Sequence, residues 1–288
     1  MKRVSKRKPC PICGRPDWCG IADDDSLAIC MRVESGKPSK NGGYVHILRQ
    51  REYHRRPQRI TLRVAKPVEV RNAVGLAEQV EHWHQVAEHG GWLVHLSEQL
   101  GVSVEALRRF GVGWNPQESV WTWPLRDAGG RIVGVNRRFL DGAKRVMPGT
   151  HVGLYVPEGL IHTHRSLRAL PLLMVEGGSD AAAGHDMGFP TVGRFACTGQ
   201  QDMLADLVRT VRPGVVVIVA DADGPGRFGA ERLARTLRPL VQALKIVEPP
   251  DGHKDLRAWR QAGATDGDLI RRINETPTRP LRMEVKHA

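Results

Sequence analysis

The chain has 288 residues, 41% of them apolar, which is enough for two or three compact units. Its net charge is +12, and residues 1–66 hold sixteen Lys and Arg against six acids, so a polyanion, usually nucleic acid, is the expected partner. The amino terminus is charged and lacks an apolar stretch, and the longest apolar run, Val215–Ala220, is short. These features argue against a secretory signal and a membrane span, so a cytoplasmic protein with no membrane partner is expected.

Residues 1–50 carry four of the five cysteines. The segment CPICG places Cys10 and Cys13 on a tight turn that suits a metal knuckle. Cys19 and Cys30 flank an expected hairpin with its turn near Asp23–Asp25, and short strands are expected at Ser26–Ile29 and Tyr44–Leu48. Four thiolates make a closed tetrahedral site for structural zinc, with His46 in reserve as an alternative fourth ligand to Cys19. Residues 51–75 are basic, hold two prolines and show no helical period, which reads as a linker.

Leu96, Leu100, Val104 and Leu107 then share one helical face, with Gly101 turning the chain between two short helices. The stretch SVWTWPLRDAGGRIVGVNRRF reads as two strands around an Asp127–Gly130 turn. From about residue 170 strands and helices alternate. Leu172–Val175, Thr191–Cys197, Val215–Ala220 and Lys245–Val247 are expected to be extended, with Cys197 as a small buried residue. Asp180–Met187 and Gln201–Val211 are expected to be helical. A long helix after Gly226 is expected to carry Leu233, Leu237, Leu240, Val241 and Leu244 on one side. Strands apolar at every position require cover on both faces, so the sheet should be mainly parallel, with its ligand crevice beyond the carboxyl ends of the strands.

Acids stand at those ends: Glu176 and Asp180 in VEGGSD, Asp221 and Asp223 in VADADGPG. Taken singly, Asp180 reads as a helix cap and Asp221 and Asp223 as turn residues. Taken together, ionised carboxylates within about 5 Å repel by roughly 3 kcal/mol per pair at an effective dielectric near 20. They must take up a proton, pair with arginine or bind a divalent cation, and an all-oxygen set suits magnesium or manganese over zinc. Gly177, Gly178, Gly224 and Gly226 let backbone approach a phosphate at the following helix starts.

The pair VEGGSD and VADADGPG resembles the two signatures of the TOPRIM module. Lys254 and Asp255 in HKDLRAW fall where related proteins carry a Lys-Asp element. The cysteine segment resembles the zinc ribbon of phage and mobile-element primases. SEQLGVSVEALRRFGVGW and the hairpin through GAKRVMPGTHVGLY resemble the helical and basic parts of the DnaG-type catalytic core. The resemblance implies a zinc ribbon (1–50), a linker (51–75), a small α+β basic subdomain (76–165), a TOPRIM-type mainly parallel α/β sheet flanked by helices (166–262) and a tail (263–288). It further implies a DNA primase, a nucleotidyltransferase acting in DNA replication. Such an enzyme makes short RNA primers on a single-stranded DNA template from ribonucleoside triphosphates, with structural Zn2+ and catalytic Mg2+ or Mn2+.

By the same resemblance Asp221, Asp223 and Asp255 hold metal, Glu176 is a ligand or general base, and Asp180 orients the site. Arg137, Arg138, Lys144, Arg145 and Lys254 meet phosphate, and Trp121 and Trp123 add stacking surfaces for single strands. A replicative helicase would act in trans. The alternative is a RecR-like zinc and TOPRIM protein of recombination or repair that binds DNA without chemistry. A TOPRIM nuclease would carry an ATPase loop of the GKS or GKT kind, which the sequence lacks.

Overall fold

The computed structural model describes residues 1–23, 25–39, 42–48, 73–162 and 170–280. Asp24 in the expected turn, most of the expected linker and residues 281–288 lie outside the described residues. The chain divides into two compact units, 1–59 and 60–288. Among the described residues no helix is long and apolar enough to cross a membrane.

The first unit is an antiparallel sheet of β1 (Lys2–Arg3), β2 (Gly20–Ile21), β3 (Leu27–Cys30) and β4 (Tyr44–Ile47), in that order. Its apolar core is small, with Val4, Ile21 and Ala28 joined by three of the cysteines. So slight a core needs a second source of stability, which the cysteines can supply through metal.

In the described part of the second unit three helices come first, α1 (Ala73–His89), α2 (Trp92–Leu100) and α3 (Val104–Arg109). Gly101 ends α2 in the left-handed region (φ 64°), and the Ser103 hydroxyl caps α3 by accepting from the Ala106 amide at 3.0 Å. Strands β5 (Gly113–Asn115), β6 (Val120–Arg126), β7 (Ile132–Arg138), β8 (Lys144–Val146) and β9 (Leu154–Tyr155) follow. Asp127 sets the β6–β7 turn by accepting from the amides of Gly129 and Arg131 at 2.9 and 3.0 Å. The chain then alternates: β10 (Leu172–Glu176), α4 (Gly178–Asp186), β11 (Thr191–Arg194), α5 (Gln201–Val211), β12 (Val215–Val219), α6 (Gly224–Leu237), β13 (Ala243–Val247), α7 (Leu256–Gln261) and α8 (Asp266–Glu275).

These strands form one sheet, in the order β13-β12-β10-β11-β9-β6-β7-β8 with β5 beside β6. Strands β13, β12, β10 and β11 run parallel; β9 joins β11 and β6 antiparallel to both. The period of two sorts the apolar strand residues. Leu173, Val175, Val217 and Val219 face α4, α7 and α8, while Leu172, Met174, Val216 and Ile218 face α5 and α6. Each such side chain, fully buried, contributes about 1.5–3 kcal/mol.

The structure differs from the sequence reading at four places. Helix α6 stops at Leu237, because Pro239 cannot continue it, and Leu244 is a buried strand residue of β13. Strand β11 ends at Arg194, so Cys197 lies in the following turn, half-buried. The segment expected as a tail contains α8, whose Leu269 and Ile273 are buried. Trp121 and Trp123 are buried too, Trp121 against Trp92 and Trp114, Trp123 against Phe110 and Tyr155. Both are core residues, and Trp121 offers no face to a nucleic-acid base.

Candidate active site and metal centre

In the first unit the sulfurs of Cys10, Cys13, Cys19 and Cys30 all lie within 4.8 Å of one another. The Cys13 and Cys19 sulfurs are 3.7 Å apart, and those of Cys19 and Cys30 are 4.0 Å apart. The β2–β3 hairpin, in which Gly20 pairs with Ile29, brings Cys19 and Cys30 together. The Met31 amide points at the Cys19 sulfur (3.4 Å), and the amides of Arg32 and Val33 point at that of Cys30 (3.4 and 3.3 Å). Four converging sulfurs solvated by N–H donors fit a tetrahedral thiolate metal site. Burial first, opposed by the Met31 amide and reinforced by the neighbouring Cys10 and Cys13 sulfurs, pushes the Cys19 thiol up to about 12, and a bound cation would favour its thiolate. His46 stands apart from the cluster, its Nε2 3.0 Å from the Val33 carbonyl oxygen. Cys19 is therefore the fourth member. Beside it Trp18 projects into solvent, 76% exposed with φ 65°.

In the second unit the acids gather at the carboxyl edge of the parallel strands. Glu176 ends β10, Asp221 and Asp223 follow β12, and Asp255 starts α7 after β13. Asp180 sits in the first turn of α4, buried, with Oδ1 accepting from the Arg257 amide at 3.0 Å. Burial, with Asp255 and Asp221 nearby, pushes Asp180 up to about 7. Asp221 rises to about 6, again by burial first, then by repulsion from Glu176 and Asp255, with Lys254 opposing. The Lys254 carbonyl accepts from the Ala222 amide at 2.7 Å and so fixes the loop between the two aspartates.

Asp223 and Asp255 also serve as helix caps, accepting from Gly226 and Ala258 amides at 2.7 Å each through Oδ1. Each keeps its Oδ2 without a hydrogen-bond partner among the described residues. No three of the carboxylates lie within 4.8 Å of one another, in contrast to the cysteines. Gly226 is required for this packing, since a Cβ there would stand 2.6 Å from the Asp221 carbonyl oxygen.

Across from the acids, an open cleft is lined by Trp123, Asn136, Arg138, Lys144, Tyr155, Gly178 and Ser179. The start of α4 forms one wall, and it approaches closely because residue 178 has no side chain; a Cβ there would sit 2.6 Å from Trp123. Strands β7 and β8 pair Arg138 with Lys144. Much of Lys144 is open to solvent, yet desolvation and Arg138 hold its ammonium below the usual range, with Asp180 and Asp255 opposing. Arg138 is likewise lowered, by burial and then by Arg257. A cleft that combines a helix N-terminus with two partly desolvated cations attracts an anion.

The sequence treated four cations of this hairpin as one group, and the pleat separates them. Arg137 and Arg145 pair with each other one residue out of phase, on the opposite face. There Arg137 bonds Glu118 at 2.5 Å, and both guanidinium groups lie over the Phe139 ring, 5.7 and 5.4 Å from its centroid.

Sequence reasoning missed Arg194. It ends β11 directly beside Glu176 in the parallel register, is buried, and carries Nη2 4.0 Å from Glu176 Oε2. Its Nη1 donates to the carbonyls of Cys197 and, at 3.2 Å, Gly229.

No family model and no curated protein matches the sequence. Solved structures do match. The zinc-binding and RNA polymerase domains of the Aquifex aeolicus primase superpose with a TM-score of 0.56 at 17% identity, over 72% of this chain and 61% of that one. The RNA polymerase domain of Mycobacterium tuberculosis primase DnaG, with a double-stranded DNA carrying a 6-nucleotide overhang, gives 0.56 at 19% identity over 73% and 81%. A DnaG primase catalytic domain bound to single-stranded DNA gives 0.54 at 21% identity over 72% and 80%. The second unit has the mixed α/β fold of the DnaG-type primase catalytic core.

Proposed function

We propose that the protein is a DNA primase, joining ribonucleotides into short primers on single-stranded DNA. The observation that carries this reading is the gathering of opposite charges around the carboxyl edge of the parallel strands, where Lys144 feels both Asp180 and Asp255. Five carboxylates stand at the carboxyl edge of the parallel strands, and Arg138 and Lys144 face them beside the N-terminus of α4. A nucleoside triphosphate requires both: cations and a helix N-terminus for its phosphates, and carboxylates for the metal that accompanies them.

Asp221, Asp223 and Asp255, with Glu176 as a further ligand or as the base, would hold Mg2+ or Mn2+. Such an ion lowers the pKa of the attacking hydroxyl and offsets charge on the phosphates. In the reaction the 3′-hydroxyl oxygen forms a bond to the α-phosphorus, the bond to the bridging oxygen breaks, pyrophosphate leaves, and the hydroxyl proton passes to a base. Arg138 and Lys144 orient the triphosphate, Lys254 balances the phosphate side of the rim, and Asp180 steadies α7 through the Arg257 amide. The cysteines would hold structural Zn2+. Exposed Trp18 in the basic first unit suits stacking on a template base, the part the sequence reading gave to Trp121 and Trp123.

A second reading has one observation in its favour. Asp223 and Asp255 already cap helices, as purely structural aspartates do, and a RecR-like binding protein needs no more of them. Incubation with single-stranded DNA, labelled ribonucleotides and Mg2+ separates the two. Primase activity gives short template-dependent RNA, abolished in the Asp221→Asn/Asp223→Asn double variant. DNA binding with no product, unchanged in that variant, establishes the binding protein instead.

A further inference from the structure

We propose that Arg194 is a fixed counter-charge of the carboxylate rim, one that holds Glu176 in place and loosens the rim's hold on divalent cations; the second half of this inference rests on the primase reading. The side chain is 3% exposed and is anchored by two main-chain carbonyls, of Cys197 and Gly229. Those bonds fix the cation whether or not Glu176 is ionised, so its charge belongs to the fold. Arginine cannot shed that charge by deprotonating. Among the described residues the only carboxylate within 4.0 Å of it is Glu176.

Three other cations near the rim are placed differently. Arg138 and Lys144 line an open cleft, and Lys254 is exposed, so each can meet a phosphate. Arg194 is enclosed and already bonded, so it cannot reach substrate. It acts on the rim through Glu176, as a positioning residue. Its electrostatic neighbours include Asp221 as well as Glu176, so its field extends to the aspartates. A cation held there cancels part of the charge that would draw Mg2+ or Mn2+.

Two measurements on the zinc-loaded full chain test this. The first is thermal melting without added Mg2+ or Mn2+. An unpaired acid in a repelling cluster should stabilise the fold when neutralised, so Asp221→Asn should raise Tm by a few degrees. Glu176→Gln should instead lower Tm by roughly 2–8 °C, because it strips a buried guanidinium of its partner. A Glu176→Gln variant that melts higher than wild type overturns the pairing.

The second is Mn2+ titration followed by electron paramagnetic resonance. Arg194→Gln removes the charge and should tighten Mn2+ binding roughly three- to tenfold, while Arg194→Lys should stay within about twofold of wild type. A folded Arg194→Gln that binds Mn2+ as wild type does, or more weakly, overturns the tuning role. If Arg194→Gln fails to fold, the melting comparison alone decides the proposal. If wild type takes up no Mn2+ at the rim, the primase reading falls, and the melting result still decides whether Arg194 and Glu176 are coupled.

Discussion

At the scale of single residues, the acids at the strand ends are legible because their chemistry is local. A buried apolar run that stops at Glu-Gly or Asp-Ala-Asp announces a rim whichever way the chain goes afterwards. Arg194 is not legible, since the arginine of TVGRFACTG reads as the ordinary end of a strand, and its partner Glu176 is supplied by the neighbouring strand. The shifts of Asp180 to about 7 and Asp221 to about 6 carry a definite sign. Both lie above the unfolded carboxylate value, so the folded protein holds protons that the unfolded chain releases. Their stabilising contribution is complete near pH 4 and disappears as pH rises through 6 and 7. Without divalent metal, Tm should therefore fall between pH 5 and pH 8, and Asp180→Asn should flatten the decline. A wild-type melting curve that is level or climbs across that interval would show the two carboxyls to be ionised throughout.

At the scale of elements, the helices and strands follow from period and punctuation. Gly101 and Ser103 mark the α2–α3 corner, and the Asp127 turn marks the hairpin. One misreading arises from an apolar spacing that fits more than one element. Leu240, Val241 and Leu244 keep a helical interval from Leu233, but Pro239 breaks the hydrogen-bond ladder and β12 recruits Leu244 into a strand. What no period reveals is how helices distant in sequence lock together. Asp186 at the end of α4 accepts from the Ser103 amide (2.6 Å) and the Ser103 hydroxyl and forms an ion pair with Arg260 of α7 (2.9 Å). Arg257 and Gln261 of α7 reach the Leu100 carbonyl of α2 at 3.4 and 2.8 Å. Asp186→Ala takes the acceptor from the Ser103 amide and hydroxyl and the ion-pair partner from Arg260, and should cost about 3 kcal/mol, read from the urea midpoint. A loss below about 0.5 kcal/mol would assign the α3–α4–α7 junction to apolar packing alone.

At the scale of the whole molecule, the two units draw on different sources of stability. The first has a core of a few side chains around four sulfurs, and the second has two apolar layers on either side of a long sheet. Chelation of the full chain should therefore melt the first unit at temperatures where the second stays folded, two transitions replacing one in circular dichroism or limited proteolysis. Joint collapse of both units on chelation would contradict this. In the sequence, cysteines and charge crowd the front while apolar periodicity fills the rest. The continuity of the sheet is not legible there, because nothing in LY of GLYVPEGL announces that two residues bridge a parallel half and an antiparallel one.

That bridge has a geometric consequence. Leu154 stands between Arg194 and Arg126, and Tyr155 beside Gly193, so β9 alone joins the strands bearing the acids to those bearing Arg138 and Lys144. The parallel and antiparallel halves of the sheet meet through these two residues. On the proposed reading, the spacing between the acids and the Arg138–Lys144 pair is therefore set across this one short strand.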